Sequence, residues 1–256
     1  MPTTPHDSSL ELAARLDSNA SVCHFVSSTP LSSSINEVVL AGQAALLCGV
    51  PGNDVMVQLT NPAGKLVRRR YSVHAVDEER DQFTLWITTA HEGPGSVWAR
   101  RAQPGDEVDI VGPRGKIVLE SEADWHLFMG DITCLGSAYR MAHSVEAPGQ
   151  VIFIVETDHA DDALTTTFDE GVAVTGIFVD RMGRVKDDPA GLFSGLSAFS
   201  FPPGRGHAYL FGEFHVMKAV REALLDRGLD DESIDMKAFW RVGRNNADHG
   251  EPEKGD

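Results

Sequence analysis

A change of texture near Ser121 constrains this chain most. From Val38 to Val118, short runs rich in β-branched and aromatic residues recur: MVQL (56–59), YSVHAV (71–76), FTLWITT (83–89) and EVDIV (107–111). Turn-forming stretches separate them: PGND (51–54), NPAG (61–64), DEERD (77–81), PGD (104–106) and GPRG (112–115). Strands this short and this closely spaced predict an antiparallel barrel or sandwich. After Ser121 the apolar runs become continuous: WHLFMG (125–130), VIFIVE (151–156), VAVTGIFVD (172–180) and HAYLFGE (207–213). Helical spacing lies between them, at Leu135, Ala138, Tyr139, Ala142 and Val145, in GLFSGLSAF (191–199), and in FHVMKAVREALLDRG (214–228), which stops at Gly228. MKAFWRVG (236–243) reads as a last strand. Buried strands alternating with helices predict a mostly parallel sheet. The chain therefore reads as two domains, β followed by α/β, joined near residue 120. A short helix at Leu10–Leu16 precedes them, and a polar tail follows at 245–256.

Charge narrows the partners. The 256 residues carry a net charge of −16, of which −4 falls in residues 1–120 and −12 in 121–256. Such an acidic chain repels phosphate backbones and anionic membranes, which argues against nucleic-acid and membrane partners. The basic residues of the first half cluster at Arg68-Arg69-Arg70 and Arg100-Arg101. A cluster in an acidic background suits one local anionic ligand. The three cysteines, Cys23, Cys48 and Cys134, match neither a disulfide framework nor a zinc site, and the histidines show no ligand pairing, so no metal centre is expected. No signal peptide is recognisable at the N-terminus, and the run at 38–50 is too short to span a bilayer. The expectation is a cytoplasmic protein.

Three stretches can carry chemistry. In Arg69-Arg70-Tyr71-Ser72-Val73, strand alternation puts Arg69, Tyr71 and Val73 on one face and Arg70 and Ser72 on the other. Guanidinium, flat aromatic and small hydroxyl suit a ligand with phosphate and a planar heterocycle. An edge strand with a basic surface and a buried Tyr fits the same residues. In HEGPGSVWARR (91–101), a Gly-Pro-Gly-Ser turn opens a short helix whose first N–H groups can hold an anion, or forms an ordinary hairpin beside a core Trp98. In HLFMGDIT (126–133) a strand end runs straight into a helix, as it does in LFGEFH (210–215), and ligands gather at such ends. No GxGxxG, Walker or GxSxG motif is present.

In this order, RRYSV, HxxGPGSVWA, GPRG, ADWHLFMGDIT, YLFGE and FWRVG resemble the siderophore-interacting protein family, FAD-binding ferric-siderophore reductases related to the ferredoxin reductases. The resemblance runs from about Ile35 to Gly243. It implies an N-terminal extension (1–34), an antiparallel FAD-binding β-barrel (35–120) and an α/β NAD(P)H-binding-like domain with a mostly parallel sheet (121–244). It also implies a flavin-dependent oxidoreductase that passes electrons from NADH or NADPH, or from ferredoxin, to a ferric siderophore. Carried over by position, Arg69 would contact the FAD phosphates and Tyr71 would stack on the ring. Ser72 and Val73 would meet its polar edge. His91 and the turn Gly93, Gly95, Ser96, Val97 and Trp98 would hold the pyrophosphate and adenosine side. Asp131, Thr133 and Trp240 would approach the flavin, with Ser72 on the reacting side. Arg181, Arg184, Lys186 and Lys218 are candidates to hold an anionic siderophore. Three features depart from the family: Ile132 replaces a Glu, Cys134-Leu135-Gly136 replaces Ala-Leu-Pro, and Phe239 replaces a Tyr. All fall on the side of the electron donor and substrate. An FAD-containing biosynthetic enzyme, a siderophore-binding protein without turnover, or an interaction protein with a vestigial cofactor site would use the same scaffold.

Overall fold

The computed structural model describes residues 5–61 and 63–243. The chain divides into two units. One holds residues up to 119 together with 135–145 and 161–169, and the other holds the remainder. The polar tail expected at 245–256 lies outside the described residues.

The first unit is built on α1 (Pro5–Arg15), β1 (Asn19–Pro30), β2 (Ile35–Ala41), α2 (Ala44–Leu47), β3 (Asp54–Thr60), β4 (Leu66–Asp77), β5 (Gln82–Thr88), α3 (Pro94–Arg101) and β6 (Glu107–Arg114). Six antiparallel strands close a barrel in the order β1-β2-β5-β4-β3-β6. Closure decides between the barrel and the sandwich. The barrel takes its first strand from residues 19–30, within the stretch expected to be an extension before residue 35. NASVCHFVSSTP is too rich in Ser, Asn and Thr to announce a strand, yet Cys23 and Phe25 point into the core. The GPRG stretch read as a turn is the end of β6. The core is the alternate residues of these strands, with Val55, Val57, Val73, Leu85 and Ile110 all fully buried.

Two segments from later in the chain belong to this unit. Helix α4 (Leu135–Ala142) packs on β4 and β5: Gly136 sits on the Cβ atoms of Trp86 and His74, and His74 stacks on Trp86 at 3.9 Å. The turn Ala160–Asp162 is clasped by the β1–β2 connection. Ser32 and Ser34 donate their hydroxyls to the two oxygens of the fully buried Asp162 at 2.6 and 2.8 Å. Ser33 donates from its backbone N–H and hydroxyl to Asp161.

The second unit is a parallel sheet of β7 (Trp125–Asp131), β8 (Gly149–Thr157), β9 (Val172–Asp180), β10 (Gly206–Glu213) and β11 (Ile234–Trp240), in the order β11-β10-β7-β8-β9. Helices α5 (Ala190–Ser197) and α6 (Phe214–Asp226) bury one face of it over Leu127, Met129, Ile152, Ile154 and Leu210. Helix α6 ends at Gly228, whose φ of 94° a side chain would resist. On the other face Phe128 stacks between Phe153 and Tyr209. The Tyr209 hydroxyl accepts from Glu120 N and donates to His126 Nδ1. No helix among the described residues is long and apolar enough to cross a membrane.

Two outcomes follow. Asp162→Ala leaves two hydroxyls without their acceptor and is expected to lower urea stability by about 2 kcal/mol, with Asp162→Asn losing less. Burial pushes His126 down to about 4. A His depressed in the folded state destabilises the fold as pH falls below the unfolded value of about 6.5, until the native form also protonates. Stability measured from pH 7 to 4 is therefore expected to fall less steeply in His126→Asn, which keeps an acceptor for Tyr209.

Candidate functional site

The arginine triplet on β4 is sorted by its strand. Arg68 donates through Nε to Gln58 and through Nη2 to the Ser8 hydroxyl of α1, at 3.1 and 2.6 Å. Arg70 is bidentate to Asp54, with Nε to Oδ1 at 3.0 Å and Nη2 to Oδ2 at 2.7 Å, and Asp54 is only 2% exposed. Both therefore belong to the side of the sheet that α1 covers, with Met56 and Gln58. Arg69 and Tyr71 lie opposite Val57 and Val55, on the other side. Arg69 anchors on the Arg68 carbonyl at 2.7 Å.

Tyr71 is half-buried against the barrel core, and its hydroxyl abuts the α3 turn. A Cβ built on Gly95 would lie 1.6 Å from that oxygen, so the turn tolerates only glycine while the ring keeps its place. Burial pushes the phenol's pKa up, and the positive charge of Arg69 pulls it part of the way back. Arg69, Tyr71 and the GPG turn, separate in sequence, thus share one locality. Helix α3 begins with Pro94 after Gly93, and its first-turn N–H groups have no partner within the helix.

The other predicted residues sit around this turn and strand, each with contacts of its own. The His91 ring folds into the turn, accepting from Gly93 N at 3.0 Å, with Ser96 Oγ beside it and donating to the Thr88 carbonyl. Both brace the loop. Trp98 packs edge-on against Phe25 at 5.7 Å as part of the core margin, beside a half-buried Val97. Ser72 pairs with Asp54 in the ladder, on the side away from Tyr71. Val73 is a core residue whose N–H already bonds the Asn53 carbonyl. Arg100 is used by the Thr89 and His91 carbonyls and by Glu92.

In the second unit the strand order reverses between β7 and β10, and ligands of open parallel sheets sit at the carboxyl ends beside such a switch. Asp131 ends β7 there. Its Oδ1 accepts from Thr133 N and Oγ1 at 2.9 and 2.5 Å, and its Oδ2 accepts from Trp240 Nε1 at 2.8 Å. All three predicted residues are joined. Glu213, which sequence reasoning did not single out, repeats the pattern at the end of β10. Its Oε2 caps α6 through His215 N and Val216 N, and its Oε1 takes Val242 N just beyond Trp240. The Gly-Glu-helix signature in LFGEFH marks it.

The candidate siderophore-holding residues do not converge as free cations. Arg181 and Arg184 both pair with Glu156, Arg181 also meets Asp158, and Lys186 lies 4.0 Å from Asp158. Lys218 is an exposed residue of α6. Among the described residues no group of three or more His, Cys, Asp or Glu side chains could hold a metal.

Comparison with known proteins matches this geometry to a family. The siderophore-interacting FAD-binding domain matches residues 41–117, and the siderophore-interacting protein family matches 123–243. An uncharacterised protein of Mycobacterium tuberculosis is 30% identical over 190 residues, covering 69% of this chain and 65% of the relative, so the chain spans just under two thirds of that relative's length. Ferric vibriobactin reductase ViuB of Vibrio cholerae is 23% identical over 188 residues, 72% of this chain and 68% of ViuB. The crystal structure of a siderophore utilization protein from T. fusca superposes with a TM-score of 0.79 at 25% identity, covering 91% of this chain and 96% of that one. With both of its halves matched, the chain belongs to the siderophore-interacting protein family.

Proposed function

We propose that this protein is a flavin-dependent ferric-chelate reductase, taking electrons from a nicotinamide nucleotide and delivering them to a ferric siderophore, which releases iron as Fe(II). The observation that carries this is the grouping of Arg69, Tyr71 and the Gly95 turn within an FAD-binding family domain. The residues fit the cofactor. Arg69 supplies a fork for a diphosphate, the α3 N-terminus supplies N–H donors, and the half-buried phenol supplies a flat face for a ring. When bound, FAD supplies the link between a two-electron donor and a one-electron acceptor such as Fe(III).

The chain's own residues bind and orient. Arg70 and Asp54 hold β4 in register so that Arg69 faces the ligand side. Gly95 lets the turn approach Tyr71. Asp131 fixes the indole of Trp240, and Glu213 holds the backbone just beyond it. Because Arg181 and Arg184 are paired with Glu156 and Asp158, capture of an anionic chelate would fall to other groups, with exposed Lys186 and Lys218 among them. ViuB, named as a ferric vibriobactin reductase, supports the substrate class.

The test is anaerobic. NADH or NADPH should bleach the bound flavin, and a ferric siderophore should restore its colour with Fe(II) trapped by a ferrous chelator. A nucleotide-reduced flavin that no ferric chelate reoxidises would contradict the reading. Arg69→Ala should weaken FAD retention by about tenfold or more, as expected for loss of a charged hydrogen-bonding partner, while Arg70→Ala should mainly lower stability. Gly95→Ala should displace Tyr71 and reduce flavin occupancy. Occupancy is read from the ratio of flavin to protein absorbance after gel filtration.

A further inference from the structure

The carboxyl ends of β8 and β9 carry a cluster of matched charge. Strand β8 ends in Glu156-Thr157 followed by Asp158, and β9 ends in Asp180 followed by Arg181. In the register of the two strands Thr157 lies beside Asp180. Arg181, 6% exposed, reaches Glu156 Oε2 with Nη1 and Asp158 Oδ1 with Nε, each at 2.6 Å. Arg184 Nη2 donates to Glu156 Oε1 and to the Asp180 carbonyl, both at 2.9 Å. Gly191, in the first turn of α5, makes room for this. A Cβ there would lie 2.2 Å from Glu156 Oε1 and 2.5 Å from Arg184 Nη2. Glu156, Asp158 and Asp180 are set against Arg181, Arg184 and Lys186, so the charges cancel.

Strand β8 is the second strand of the β7–α4–β8 crossover. In nucleotide-binding sheets an acidic residue at the end of the second strand accepts the adenosine ribose hydroxyls, whereas a neighbouring arginine accommodates a 2′-phosphate. Here the acid is present and the guanidiniums are committed. A dianionic 2′-phosphate would face three carboxylates with no uncommitted guanidinium to neutralise it. A ribose hydroxyl needs only an acceptor. Asp158 Oδ2, with Lys186 no nearer than 4.0 Å, offers one.

We propose that the nicotinamide nucleotide taken by this chain is the form without a 2′-phosphate, NADH, and that Asp158 sets that choice. This rests on the reading of a nicotinamide donor given above. The test is calorimetric titration of the FAD-loaded full chain with NAD⁺ and NADP⁺, alongside anaerobic flavin reduction by NADH and NADPH. NAD⁺ should bind tighter by about tenfold or more, the scale of a charged hydrogen bond kept or lost. Asp158→Asn keeps an acceptor for Arg181, removes one of the charges facing a 2′-phosphate, and should weaken NAD⁺ by about fivefold while tightening NADP⁺. Equal or tighter binding of NADP⁺ to the wild-type chain would overturn the inference and leave the reductase reading standing. Binding of neither nucleotide, with no flavin reduction, would overturn the donor reading and this inference with it. An equal loss of both nucleotides in Asp158→Asn would remove Asp158 from the choice.

Discussion

Three consecutive arginines on one strand would repel one another and blur any anion site unless the fold separated them. The β4 ladder does so by alternation. Asp54, almost wholly buried, takes Arg70 in a bidentate pair, and Gln58 and Ser8 take Arg68. Both are drawn to the side that α1 covers. What remains on the opposite side is Arg69, next to Tyr71. The position of that single guanidinium depends on Asp54 and Gln58 of β3 and Ser8 of α1, on the opposite side of the sheet. A buried ion pair such as Asp54–Arg70 adds little net stability by itself, because desolvation offsets most of the attraction. Its contribution here is to orientation.

The second unit solves a similar problem with carboxylates. Asp131 and Glu213 end neighbouring parallel strands, and each divides its two oxygens. One caps the helix or turn that follows, and the other holds the end of β11. An indole at a strand end would otherwise swing freely. With Nε1 bound to Asp131 and the backbone bound to Glu213 two residues on, Trp240 has a fixed plane. The departures from the family at Ile132 and Cys134 do not touch these bonds, since Asp131 and Thr133 are retained.

Much of the architecture was legible in the sequence. Continuous apolar runs after residue 121 foretold the parallel sheet, because strands covered on both faces, as β7, β8 and β10 are, have no polar side to show; the run at 172–180, read as equally buried, is instead the largely exposed edge strand β9. Strand β1 was not legible. Its exposed positions are Ser, Asn and Thr, and only Cys23 and Phe25 mark the core face. The division of the chain was also hidden. Segments 135–145 and 161–169 join the barrel unit through side-chain contacts, Gly136 on Trp86 and Asp162 on Ser32 and Ser34, that no local pattern encodes. At the site, alternation correctly set Arg69 and Tyr71 apart from Arg70 and Ser72. The sequence could not reveal that His91 braces its own turn or that Arg181 and Arg184 are neutralised by Glu156, since these depend on which carboxylates the fold delivers.

The central claim is that the side of β4 bearing Arg69 and Tyr71 is where FAD lies. A crystal structure of the protein grown with FAD tests it most directly. The account predicts the tricyclic ring against the Tyr71 phenol, with the diphosphate between Arg69 and the first turn of α3. Flavin density anywhere else, with Tyr71 and Gly95 still in mutual contact and untouched by ligand, would contradict it.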